Sequence, residues 1–258
     1  MASNTAAQPL RTLHGSSGAW VALLDDDKIL KTGGRRVVEQ GQWLMDHTNF
    51  ATPVVKDVTD EGYTMMRYVE INRGITHGES LVQNMLTLLN EHIWSKPANV
   101  HFIEEAHTAK VRDLLNQADV SSDTGIKLFD VFKKIDWGMQ IACLTHGDPT
   151  LDNVMARRDG SLVLIDPIPA TRAVPDLRCV DLGKILQSCV GFEKARYGKM
   201  EWASSPGTLW LSEIAGDNEA RAAKYWCAVH LLRAIPYMKD KGAMDRVTRL
   251  FTDYVGRL

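Results

Sequence analysis

The residues best equipped for chemistry lie between Thr145 and Asp166. Thr145–Asn153 reads Thr-His-Gly-Asp-Pro-Thr-Leu-Asp-Asn, and the apolar run Leu162–Ile165 is followed at once by Asp166. A carboxylate beside a hydroxyl can align it and take its proton, and Asp148 is the candidate. Asn153 offers a carbonyl oxygen and Asp166 a carboxylate. These are the hard donors that Mg²⁺ prefers and shares with substrate phosphates. The four residues between Asp148 and Asn153 suit a compact loop that turns both side chains to one cleft. Asp159-Gly160 marks a turn between the strand-like runs Asn153–Ala156 and Ser161–Ile165, and a hairpin there returns Asp166 to the side of Asn153. A base for a hydroxyl and two oxygen ligands for a metal are parts of a phosphoryl-transfer site. That reaction asks the protein for positioning and charge stabilisation.

His146-Gly147-Asp148, then Asn153, then a strand ending in Asp166-Pro167 resembles the catalytic loop and metal-binding Asp of kinases. Protein kinases usually read His-Arg-Asp and Asp-Phe-Gly. The His-Gly-Asp and Asp-Pro forms are similar to those of the aminoglycoside phosphotransferase and choline kinase family. The resemblance implies catalytic Asp148, metal ligands Asn153 and Asp166, and His146 as a structural support of the loop. It also implies ATP as phosphoryl donor, Mg²⁺ as cofactor and a small hydroxylated acceptor. The fold it implies is α+β and bilobal: a small β-rich N-lobe over residues 1–70 that binds nucleotide, and a larger, mainly helical C-lobe over 71–258 that carries catalysis and the acceptor.

An N-lobe of that kind needs a phosphate-covering turn, a lysine and a helix glutamate. Gly15-Ser16-Ser17-Gly18 lies between apolar runs, and its backbone amides can approach phosphates because glycine removes the side-chain obstruction; a plain hairpin turn is the competing reading. Lys28–Lys31 reads as a short strand. Lys31 is the phosphate-binding candidate, because Ile29 shares its face, whereas Lys28 adjoins the acidic turn Asp25–Asp27. Arg35–His47 reads as a helix, with Glu39 placed early enough to pair with Lys31. Tyr63–Val69 reads as an edge strand leading to the hinge between lobes, with adenine on the backbone of Arg67, Tyr68 and Val69.

The rest is helical in pattern. Glu79–Trp94, His101–Ala118, Asp123–Ile135, Asp217–Met238 and Met244–Val255 repeat apolar residues at helical spacing, with Pro236 ending or kinking the fourth. Asp181 opens a periodic apolar stretch. It resembles the family's Asp-Leu-Ala-Lys segment, in which an Asp supports the catalytic loop; a helix N-cap is the competing reading. The resemblance further implies that Phe192–Trp210 lies near the acceptor, with Glu193, Tyr197, Glu201 and Trp202 as pocket candidates. Acids and bases alternate there, which suits a neutral or anionic acceptor as well as a cationic one.

The chain has 258 residues and 45% hydrophobic content, enough for a large core, and a net charge of −2 that makes no case for nucleic acid. The four cysteines have no zinc-site spacing and favour a reducing, cytoplasmic setting. The N-terminal residues lack a secretory signal's charge and apolar stretch, and no membrane span is expected. The expectation is an ATP- and Mg²⁺-dependent phosphotransferase acting on a hydroxyl of a small metabolite. The alternatives are a divergent protein kinase, against which His-Gly-Asp and the lack of an Ala-Pro-Glu segment argue, and a non-catalytic nucleotide-binding pseudokinase.

Overall fold

The computed structural model describes residues 11–14, 19–24, 27–70, 78–100, 102–198, 211, 213–238 and 240–258. The chain forms two compact units, one of Met1–Ile71 with Val154–Pro169 and one of Asn72–Asn153 with Ala170–Leu258. The helix-rich unit is thus interrupted by the Asp159-Gly160 hairpin, which belongs to the strand-rich one.

In the first unit, β1 (Arg11–His14), β2 (Trp20–Leu24), β3 (Lys28–Thr32), β4 (Val55–Val58) and β5 (Gly62–Met66) make an antiparallel sheet in the order β1-β2-β3-β5-β4. The Tyr63–Val69 run is therefore not one edge strand. Its first part, β5, is internal, paired with β3 on one side and β4 on the other. Its end continues as β6 (Val69–Glu70), which joins a second sheet with β7 (Val154–Ala156) and β8 (Leu162–Leu164). The edge place goes to β4, a largely exposed strand whose weak alternation gives no apolar signal. Helix α1 (Arg35–Asp46) packs on this sheet, burying Val37, Gln40, Gly41 and Leu44 at the i, i+3, i+4, i+7 spacing of one helical face. A Cβ at Gly41 would lie 2.7 Å from the Tyr63 ring, so glycine lets the helix approach the sheet there.

The β7–β8 hairpin pairs Val154 with Leu164. Its turn closes through Arg157 N–H to Ser161 O at 2.8 Å, with Gly160 at φ +83°. The second sheet of the first unit thus joins distant parts of the chain, residues 69–70 with 154–164.

The second unit is helical: α2 (Gly78–His92), α3 (Glu104–Gln117), α4 (Ser122–Lys133), α5 (Arg178–Cys189), α6 (Phe192–Tyr197), α7 (Asp217–Ala234) and α8 (Lys241–Gly256). Pro236 follows α7 inside a 3₁₀ turn, Ile235–Tyr237, as a residue without an N–H must. From Tyr225 to Leu232 helix α7 is buried on every side, which fits a central element surrounded by others. Tyr225, Trp226, Cys227, Ala228, Leu231 and Leu232 are all fully buried. Its main partner is α5. Gly183 makes that contact close: a Cβ there would meet Trp226 Cβ at 2.5 Å and the Ala223 carbonyl at 2.9 Å. Arg178 and Glu219 tie the two helices at their starts through a two-pronged ion pair, Nε–Oε1 at 2.8 Å and Nη2–Oε2 at 2.5 Å. All four cysteines are buried, and none of them is in a disulfide. No helix among the described residues is long and apolar enough to cross a membrane.

Candidate active site

In the second unit the Thr145–Asn153 segment is an irregular loop held by side chains of α5. Asp181 is fully buried, and its carboxylate accepts the backbone N–H groups of His146 (2.9 Å) and Gly147 (2.7 Å) and the indole N–H of Trp94 (2.9 Å). The N-cap of α5 is Leu177, so Asp181 supports the loop instead of capping the helix. Burial pushes the Asp181 carboxyl up to about 7, against the three N–H donors that pull it down. Gly147 takes φ +76°, which lets consecutive amides turn towards one carboxylate. His146 is fully buried, and its Nδ1 accepts the Asp148 N–H at 3.4 Å.

Asp148 emerges from this support with its carboxylate partly accessible. Asn153 donates its amide to the Asp148 carbonyl (2.8 Å) and to Oδ2 (2.9 Å). With the nitrogen so committed, the Asn153 carbonyl oxygen is the atom left for a cation. Further along, Leu151 N–H bonds Ser188 Oγ at 3.3 Å. Ser188 in turn donates to Glu193 Oε1 at 2.5 Å. Glu193 is thereby buried beneath the loop, which corrects its expected place in an acceptor pocket: its carboxylate is used internally. Tyr197 is exposed, and its hydroxyl donates to Asp152 Oδ2 at 3.0 Å. Glu201 and Trp202 lie outside the described residues.

In the first unit, Lys31 is only 3% exposed, on the sheet face covered by α1. Its ammonium donates to Asp166 Oδ1 at 2.7 Å and to Gln40 Oε1 at 3.1 Å. The partner expected for Lys31 was Glu39. That residue is exposed and pairs with Arg35 one turn back, at 2.7 Å. The reason is register: the buried face of α1 is set by Val37 and Leu44, and Gln40 shares it while Glu39 does not. Asp166 has φ +59°, a left-handed conformation unusual for a residue with a side chain, at the end of β8. Of the adenine candidates, the Arg67 N–H is taken by the Asp27 carbonyl at 2.7 Å, and Val69 pairs with Ala156 in the second sheet. The Tyr68 hydroxyl accepts the Val54 N–H at 2.8 Å. Gly15, Ser16, Ser17 and Gly18 lie outside the described residues.

Among the described residues no three His, Cys, Asp or Glu side chains gather into a preformed metal cluster. What the chain offers is the Asn153 carbonyl oxygen in one unit and the Asp166 carboxylate in the other. Each by itself is a hard oxygen donor of the type that Mg²⁺ takes.

One residue at the site escaped the sequence reading. Lys184 places its ammonium 2.8 Å from Asp148 Oδ1. A signal was present. Asp181, Lys184 and Ser188 stand at i, i+3 and i+7 in a largely apolar helix, a polar stripe on one face.

No family model matches the chain, and no curated protein matches it either. Solved structures do. The chain is similar to the choline kinase LicA from Streptococcus pneumoniae, with a TM-score of 0.64, 14% identity, and 97% of this chain and 95% of that one covered. It is also similar to aminoglycoside 2'-phosphotransferase-IIIa, whose structure is a GDP complex, with a TM-score of 0.60, 11% identity, and 98% and 94% covered. A gentamicin complex of the aminoglycoside phosphotransferase APH(2")-IIa matches with a TM-score of 0.52, 12% identity, and 94% and 91% covered. The chain therefore has the fold of these small-molecule kinases over nearly its whole length.

Proposed function

We propose that this protein is an ATP- and Mg²⁺-dependent phosphotransferase that moves the γ-phosphoryl group to a hydroxyl of a small metabolite, such as a sugar or an amino alcohol. The observation that carries this reading is the loop of the second unit. Asp148 is presented with a partly accessible carboxylate while the backbone behind it is fastened to a buried Asp181. A plain surface loop has no use for a buried carboxylate that accepts consecutive amides.

In this reading Lys31 holds nucleotide phosphates, with Asp166 and Gln40 fixing its ammonium. Asp166 and Asn153 would hold Mg²⁺, which when bound neutralises charge on the phosphate oxygens. Asp148 aligns the acceptor hydroxyl and takes its proton as the oxygen attacks. The fold likeness to small-molecule kinases supports the choice of a small acceptor over a protein.

The test is Mg²⁺-dependent formation of ADP from ATP against a panel of sugars, amino alcohols, aminoglycosides and nucleosides. An acceptor whose turnover disappears in Asp148→Asn supports the reading and names the acceptor class. ATP that binds without being consumed under any acceptor overturns it in favour of a nucleotide sensor.

A further inference from the structure

Lysine is a surface residue by default, because its ammonium is strongly hydrated. Lys184 departs from this. Its side chain is 14% exposed and that of Asp148 21%, and Nζ sits 2.8 Å from Asp148 Oδ1. The ammonium also donates to Gln187 Oε1 at 3.0 Å, one turn further along α5. Gln187 is itself fully buried. The ammonium is therefore held from two sides.

The geometry of α5 gives this contact its meaning. Asp181 grips the amides of His146 and Gly147, Lys184 grips the carboxylate of Asp148, and Ser188 accepts the amide of Leu151. One face of one helix thus addresses successive points of the loop, and Lys184 alone reaches the reactive group. Asn153 holds the other carboxylate oxygen, Oδ2. Asp148 is clamped at both oxygens, each of which keeps further lone-pair capacity for a proton.

We propose that Lys184 is a positioning residue for phosphoryl transfer, fixing the Asp148 carboxylate against the acceptor hydroxyl and placing a positive charge beside the oxygen as it loses its proton. This rests on the phosphotransferase reading. In the step it assists, the acceptor oxygen bonds to the γ-phosphorus. The bond from that phosphorus to the bridging oxygen breaks, with its electron pair leaving on the nucleoside diphosphate. The acceptor proton passes to Asp148, and Lys184 exchanges no proton. Preorganised charge at the reacting oxygen acts on turnover more than on binding.

The experiment compares wild type with Lys184→Met, Lys184→Arg and Lys184→Ala under the acceptor that the wild type uses. Lys184→Met is expected to lower kcat about 10- to 100-fold, the scale of losing alignment of a reacting group, with the KM for ATP nearly unchanged. Lys184→Arg restores part of the loss. Lys184→Ala gains turnover with added ethylammonium and none with ethanol, a difference that lost packing alone does not produce. Should Lys184→Met unfold, the arginine and ethylammonium results still decide. A Lys184→Met enzyme with wild-type kcat, or one whose defect lies only in the KM for ATP, overturns this inference and leaves the phosphotransferase reading standing. A wild type silent with every acceptor overturns both.

Discussion

The ammonium of Lys31 and the carboxylate of Asp166 meet at 2.7 Å although 135 positions separate them in sequence. Lys31 is on β3, and Asp166 follows β8, the strand that the first unit takes from the later part of the chain. The lysine side chain is 4% exposed and the aspartate 27%. A pair of this kind is a source of specificity more than of stability, since burying both charges offsets much of their attraction. Breaking it from one side is costly, because the other charge is left behind.

From that pair we predict that Lys31→Met weakens ATP binding by about 10- to 100-fold, the worth of one hydrogen bond to a charged group. Titration with a non-hydrolysable ATP analogue in Mg²⁺ measures it. Glu39→Gln, by contrast, leaves binding unaltered, because Glu39 faces solvent and Arg35. An effect of Glu39→Gln equal to that of Lys31→Met would contradict the assignment of the α1 face.

Asp148 and Asp166 should separate by phenotype. Asp148→Asn keeps ATP affinity and loses transfer by roughly 10²-fold or more, as expected for a positioned base. Asp166→Ala raises the Mg²⁺ concentration needed for half-maximal ATP binding. Binding isotherms at several Mg²⁺ concentrations distinguish them.

Asp181 predicts a pH signature. Its carboxyl titrates near 7 in the native protein because of burial, against a reference of 3.8. Between those values the native state binds a proton that the unfolded chain has released. This group's contribution to stability is therefore complete below about pH 4 and is lost as pH rises through 7. Asp181→Asn removes that dependence. The stability of wild type relative to Asp181→Asn should fall between pH 4 and 7, read from denaturant midpoints at closely spaced pH. His107 works in the opposite sense, since burial lowers it to about 4, but it is common to both proteins and cancels. A difference that rises with pH would mean that the three N–H donors outweigh burial.

Gly183→Ala tests the crossing of α5 and α7. The new methyl would meet Trp226 Cβ at 2.5 Å and the Ala223 carbonyl at 2.9 Å, and backbone cannot yield as a side-chain end can. Overpacking of this kind costs roughly 1–3 kcal/mol. For a chain of this size we expect Tm to fall by about 2–12 °C. Gly183 stands between Asp181 and Lys184, so turnover should fall at temperatures where the variant is still folded. Thermal unfolding and activity of the same sample check both.

What the sequence determined by itself was local. The Thr145–Asn153 loop, the Asp159-Gly160 hairpin and the helical stretches follow from turn chemistry and from periods of 2 and 3.6 residues, which are short-range properties. That Lys31 lies on the buried face of its strand with Ile29 was legible for the same reason. What only tertiary structure decided was partnership. Glu39 and Gln40 are neighbours in sequence, and the packing of Val37 and Leu44 on the sheet selects which of them reaches Lys31. Tyr63–Val69 reads as one strand-like run, yet hydrogen bonding to β3, β4 and β7 divides it between two sheets. Glu193 looked like an acceptor contact until Ser188 drew it beneath the loop. Lys184 had no assignment in the sequence, and only the packed position of α5 brings it to Asp148. A side chain's chemistry is written in its type, but its protonation, its burial and its partner depend on which distant segment is brought within 3 Å, and that is a property of the packed chain.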